Sequence, residues 1–99
     1  FMPGCVVRAR PIAVLFLEDE AGGDEKLLAV PEVKTSPYYG DISEGDQLPP
    51  IVLEQIGHFF THYRDLEPEK WTRVGHWGGR EEAIKVIVDG LERAKREGF

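Results

Sequence analysis

Glu18-Asp19-Glu20-Ala21-Gly22-Gly23-Asp24-Glu25-Lys26 is the stretch on which the reading of the fold turns. Five carboxylates, a Gly-Gly pair and a closing lysine stand between two apolar runs. Ile12 to Leu17 on the left reads as a buried strand, and Leu27-Leu28-Ala29-Val30 on the right as a second one, stopped by Pro31. The pattern predicts a strand–turn–strand unit, turning at the glycines, with carboxylates at both feet of the loop. Oxygen ligands gathered at one end of a sheet suit a hard divalent cation such as Mg²⁺, which keeps several waters beside one or two carboxylates. Lys26 adds a positive charge that could face a phosphate held by the same metal. A solvated acidic hairpin tip accounts for the same residues, and composition alone favours that plainer reading while leaving the other open.

Upstream of this unit, Phe1-Met2-Pro3-Gly4 reads as a turn and Cys5 to Glu18 as strand-like sequence. Pro11 within it predicts a bulge or an edge position. The opening at Phe1, with Met2 second, reads as an internal start. Downstream, Pro31 to Gln47 reads as a long irregular surface excursion punctuated by Pro37, Gly40 and Gly45. Leu48-Pro49-Pro50 then opens a helix, because proline suits a first helical turn. Its apolar stripe is Val52, Ile56, Phe59, Phe60 and Tyr63. Asp65 to Glu69 reads as a turn and Trp71 to Trp77 as a strand, with Trp71 and Val74 as packing residues. A final helix is expected from Arg80 to Lys95, with Ile84, Ile87, Val88 and Leu91 as its stripe and acids in its first turn. Gly90 inside it signals close packing or a weak spot. Two strands, a helix, a strand and a helix make the class α+β.

The chain has 99 residues, enough for one domain or part of one. A net charge of −6 argues against nucleic acid and anionic membranes as partners, since both need basic faces. An anionic small substrate stays possible, because a bound divalent cation reverses the local sign. One cysteine, Cys5, permits no intrachain disulfide and no cysteine-rich zinc site, which fits a reducing cytoplasm. No apolar run reaches the length of a membrane span.

A second polar group follows the first helical stripe. Tyr63 and Arg64, with Lys70 shortly after, offer a hydroxyl donor and cations suited to phosphate oxygens. The same residues also read as a core tyrosine with a wet tip and a favourable charge at a helix C-terminus. His58 and His62 are four apart, but no Glu follows His58 as a metalloprotease helix requires, so they read as partly exposed helix residues. His76 has no evident partner. Cys5 lacks a nearby base and reads as a small buried hydrophobe. Phosphate-binding glycine loops, nucleophile elbows and calcium-loop spacing are absent from the sequence.

The ordered series Asp19-Glu20-Ala21-Gly22-Gly23-Asp24 with Lys26, Ala29-Val30-Pro31, Asp41-Ile42, Leu48-Pro49, His58-Phe59-Phe60, Tyr63, Asp65-Leu66-Glu67, Lys70-Trp71 and Gly75 to Gly78 resembles the rear half of the soluble family I inorganic pyrophosphatases. The likeness covers nearly the whole chain. It implies a Mg²⁺-dependent cytoplasmic enzyme that splits pyrophosphate into two phosphates. It also implies part of an OB-like β-barrel with two outer α-helices, and a homo-oligomer that in bacterial members is usually a hexamer. Residues 1–99 would then be a single domain, the C-terminal portion of the pyrophosphatase domain.

By position in the resemblance, Asp19 and Asp24 match metal ligands, and Glu20 matches a supporting acid beside them. Lys26 and Tyr63 match residues that contact phosphate oxygens. Arg64 stands where the family usually has a phosphate-binding lysine, keeping the charge but not the geometry. Phe16 stands where many relatives carry lysine. The family's upstream Asp-x-Asp-Pro-x-Asp run, with further metal ligands and the expected general base, has no counterpart in these residues. The expectation is therefore a chain with little or no pyrophosphatase activity alone. The alternative is a non-catalytic metal-binding or oligomer-assembly module derived from that fold. Oxygen ligands serve Mg²⁺ and Mn²⁺ alike.

Overall fold

The computed structural model describes residues 3–32 and 42–98. The expected excursion after Pro31 falls largely on residues 33–41, outside the described residues, as does Asp41. Strand β1, Ala9–Asp19, is followed by β2, Gly22–Pro31. A 3-10 turn at Gly45–Gln47 leads into helix α1, Pro50–His62, and then come β3, Thr72–Gly78, and α2, Arg80–Arg96. The α+β reading holds. The three strands form an antiparallel sheet in the order β2-β1-β3. That sheet is an open arc, with β2 and β3 as its edges among the described residues.

The hairpin turns two residues earlier than the glycines suggest. Asp19 pairs with Gly22, so Glu20 and Ala21 make the turn and Gly22-Gly23 open β2. Two local features set this. The Ala21 N–H donates to Asp19 Oδ1 at 2.8 Å, closing a side-chain turn of the kind aspartate favours. Gly22 then takes φ +122, which a side chain would resist.

Two register shifts shape β1. Against β2 the pairing steps from Pro11↔Ala29 to Ala13↔Leu28, leaving Ile12 as an extra residue. This is the irregularity that Pro11 foretells, and pairing with β3 begins only at Val14. Against β3 the pairing steps from Leu15↔Trp77 to Leu17↔Val74, so Gly75 and His76 together face Phe16. A Cβ on Gly75 would lie 2.8 Å from the Phe16 carbonyl oxygen, which explains the glycine.

The core is centred on β1. Ile12, Ala13, Val14, Leu15 and Leu17 are buried, joined among the described residues only by Val30 and Ala83 as buried apolar side chains. Helix α1 lies against β3, and its Leu53 shares a pocket with Ala13 and Trp77. Helix α2 lies against β1, where its Glu82 carboxylate and the Phe16 ring crowd Gly78. The first N–H of α2 is capped from a distance, Arg80 N donating to Glu44 Oε2 at 3.0 Å.

The helices depart from their expected stripes. In α1 no residue is fully buried; Val52, Leu53, Ile56 and Phe60 are half-buried, whereas Phe59 and Tyr63 are exposed. In α2 the inward face is Ala83, Val86, Ile87, Gly90 and Ala94. Small side chains let this helix sit close to the sheet, so Ile84, Val88 and Leu91 turn outward at 38%, 45% and 59% exposure. Trp71 precedes β3 and is exposed rather than packed. Cys5 is also exposed, not a buried hydrophobe, because the sheet begins four residues later at Ala9. Among the described residues no helix is long and apolar enough to cross a membrane.

Candidate functional site

Directly opposed residues in a sheet point to the same side. Asp19 faces Gly22 on one flank and Thr72 on the other, Asp24 faces Leu17, and Lys26 faces Leu15. Asp19, Asp24, Lys26 and Thr72 therefore share one face of the sheet. Asp19 and Asp24 are diagonal neighbours there, about 7 Å apart. The end of α1 comes over the same face and contributes Phe60, Tyr63 and Arg64.

Glu20 is the most heavily engaged carboxylate. Arg64 Nη1 donates to Oε1 at 3.1 Å and to Oε2 at 3.2 Å. Lys70 Nζ stands 3.0 Å from Oε1, and the Trp71 N–H reaches Oε2 at 3.5 Å. These partners arrive through a turn in which Glu69 adopts φ +64, an uncommon conformation for a side-chain-bearing residue. Glu20's own backbone N–H and the Lys70 ammonium pull its pKa down to about 2, against a partial opposing effect of burial. For Arg64, burial works against the charge, but Tyr63, Glu20 and Asp19 outweigh it and the pKa is raised.

Asp19 is held on one oxygen only. Oδ1 takes the Ala21 N–H, while Oδ2 faces Arg64 Nη1 at 3.8 Å. Asp24 pairs with Lys26 at 2.9 Å, both half-exposed. Lys26 Nζ also lies 5.6 Å from the centre of the Phe60 ring, Phe60 meets Tyr63 edge-on, and Arg64 lies 5.1 Å above Tyr63. An arc of Lys26, Phe60, Tyr63 and Arg64 thus joins the two ion-paired groups.

The structure brings all six expected site residues to one region, with Asp19, Glu20 and Arg64 in one cluster and Asp24 with Lys26 in another. Lys70 and Thr72 belong to the region too. Lys70 was visible as a cation near Arg64, but nothing in the sequence paired it with Glu20. Thr72 carries no local signal, since only the β1–β3 register sets it beside Asp19.

His62 Nδ1 pairs with Asp65 at 2.9 Å, and the rings of His58 and His62 are tilted 4.5 Å apart. Both are exposed helix residues, as read from sequence. His76 does have a partner, stacking on Phe16 at 4.9 Å. A groove of about 380 Å³ beside that stack, lined by Glu18, Glu25 and Arg73 as well, shares only Asp24 with the carboxylate site.

Two observations bear on a metal. Among the described residues no three His, Cys, Asp or Glu side chains come together as a ligand set. A hard cation that keeps its waters needs only one or two carboxylates, which Asp19 and Asp24 provide. Beside them the Thr72 hydroxyl oxygen is buried without a hydrogen-bond partner among the described residues. The donor set fits part of a hydrated Mg²⁺ site.

An open antiparallel sheet flanked by two helices, with an acidic hairpin facing basic and tyrosyl groups, narrows the class of protein. Comparison supplies the family. The family model described as inorganic pyrophosphatase matches residues 1–95, and the chain belongs to that family. It is 52% identical over 96 residues to an inorganic pyrophosphatase of Bradyrhizobium diazoefficiens, covering 97% of this chain and 54% of the relative. Its fold is similar to the solved inorganic pyrophosphatase of Helicobacter pylori, with a TM-score of 0.92, 42% identity and coverage of 96% of this chain and 56% of the other. The Thermus thermophilus enzyme gives a TM-score of 0.87 at 34% identity, covering 96% and 55%. The chain spans about half the length of the curated relatives it matches.

Proposed function

We propose that this chain carries part of the metal and phosphate site of an inorganic pyrophosphatase, a hydrolase that converts pyrophosphate to two phosphates. The convergence of Asp19, Asp24, Lys26, Tyr63 and Arg64 on one region, in a member of this family, carries the reading. Pyrophosphate is strongly anionic and repels a water nucleophile unless cations screen it. Bound Mg²⁺, or Mn²⁺ through the same oxygens, would supply a water of lowered pKa and a clamp on substrate oxygens.

The chain's own residues supply the rest. Asp19 and Asp24 hold the cation from adjacent strands. Lys26 and Arg64 neutralise phosphate oxygens from opposite ends of the aromatic arc, and the Tyr63 hydroxyl donates between them. Glu20 touches no reacting atom in this scheme; held by Lys70 and the Trp71 N–H, it steadies the hairpin tip. The cellular setting that fits such an enzyme is the cytoplasm, and the expected assembly is a homo-oligomer, a hexamer by family resemblance. Neither nucleic acid nor membrane is a proposed partner.

A second reading is a metal-binding or assembly module without turnover, and the outward stripe Ile84-Val88-Leu91 favours it. Phosphate release from pyrophosphate separates the two. A protein of the relatives' full length carrying these 99 residues is expected to hydrolyse pyrophosphate only with Mg²⁺, and to lose roughly 100-fold in rate with Lys26→Ala. The 99-residue chain alone is expected to turn over little or not at all. Full-length protein without Mg²⁺-dependent hydrolysis overturns the first reading.

A further inference from the structure

We propose that Arg64 is a built-in competitor for the cation at Asp19, released from the hairpin when a divalent ion binds. The inference rests on the metal reading of Asp19 given above. Asp19 has one oxygen already committed, Oδ1 to the Ala21 N–H. The other, Oδ2, is the oxygen a cation would take, and it is the one that faces Arg64 Nη1 at 3.8 Å. The same guanidinium nitrogen holds both oxygens of Glu20. Arg64 therefore sits across the tip of the hairpin as a positive charge where a metal would place its own.

Three features make this an exchange rather than a fixed strut. Glu20 keeps Lys70 and the Trp71 N–H when Arg64 departs, so no carboxylate is stranded. Arg64 follows the last turn of α1 on a long side chain, and its guanidinium also contacts the Tyr63 ring, a contact that does not depend on Asp19. The pair is partly solvated, with side-chain exposures of 25% and 18%, so parting is not a deep desolvation problem. Parting a unit-charge pair about 4 Å apart in water-like surroundings weakens the binding of the ion that displaces it roughly five-fold. Metal binding would in this way deliver a free guanidinium to the phosphate only once the cation is in place.

The test is a Mg²⁺ titration of the 99-residue chain followed by the backbone amide signals of Ala21 and Thr72 and the Arg64 Nε–H signal. In the parent chain the Arg64 signal is expected to move in step with Ala21. Arg64→Gln is expected to lower the Mg²⁺ midpoint roughly five-fold. Lys70→Gln, which removes an equal charge facing Glu20 but not Asp19, is expected to shift it much less; amide dispersion reports that each variant is folded. An unchanged midpoint in Arg64→Gln, an equal shift in Lys70→Gln, or Mg²⁺ saturation without movement of Arg64 overturns the competitor while leaving the metal site standing. No Mg²⁺ response at Ala21 or Thr72 in any of the three proteins overturns the competitor and the metal reading together.

Discussion

Glu20 shows how much of this molecule's behaviour resides in single side chains. Its ordinary value of 4.5 falls to about 2 in the folded chain. As pH drops, the unfolded chain takes up the proton first, so the stabilisation from Glu20 is complete above about 4.5 and is lost between there and about 2. Urea unfolding midpoints measured from pH 5.5 down to 2.5 are expected to fall across that window, and to fall less steeply in Glu20→Gln. Gly75 is a second such residue. Gly75→Ala must push the Phe16 carbonyl away and is expected to cost about 1–3 kcal/mol in denaturant unfolding. Gly23→Ala meets nothing within 4 Å and serves as the neutral control. The sequence placed the acids and cations of the site along the chain, but not their partners. Glu20 meets Lys70 and Trp71 across some fifty positions, and that meeting depends on the β1–β3 register, which no local pattern encodes.

At the scale of elements, the strands and helices were legible because their periods are strong, and the helix faces only in part: Val52, Ile56 and Phe60 of α1 are half-buried as expected, Phe59 and Tyr63 are not. In α2 the expected stripe of Ile84, Ile87, Val88 and Leu91 keeps only Ile87 inward, where it joins Ala83, Val86, Gly90 and Ala94. Close approach to a bulged strand rewards small side chains, and size-blind periodicity does not show it. Gly90 is not part of that close approach: a Cβ there would meet only the Arg93 side chain at 3.9 Å, so it marks a weak spot rather than a tight contact. Gly90→Ala is expected to stabilise the fold by about 0.5–1 kcal/mol, seen as a melting temperature roughly 3–6 °C higher. The hairpin shows the converse. Its two strands were plain, while its turn lies two residues earlier because Asp19 binds the Ala21 N–H, a local interaction that the more conspicuous glycines masked.

As a whole molecule the chain is looser than its length requires. Its radius of gyration is 15.1 Å, against about 13 Å for a compact chain of 100 residues. The core is essentially one strand, and α2 presents an apolar face on each side. Val88→Lys is therefore expected to raise the concentration at which the chain self-associates in sedimentation experiments, while changing folding stability by no more than about 0.5 kcal/mol. The strand order β2-β1-β3 also sets a timetable. The β1–β2 hairpin closes through a two-residue turn, an event of microseconds. β3 can join only after the chain between Glu20 and Trp71, 51 positions apart, has looped back. The carboxylates of the hairpin are thus assembled while Arg64 and Lys70 are still unplaced. During synthesis the acidic tip emerges before Arg64 and Lys70; Lys26 can offset Asp24 within the hairpin, but Glu20 waits for the later half of the chain to bring its cations.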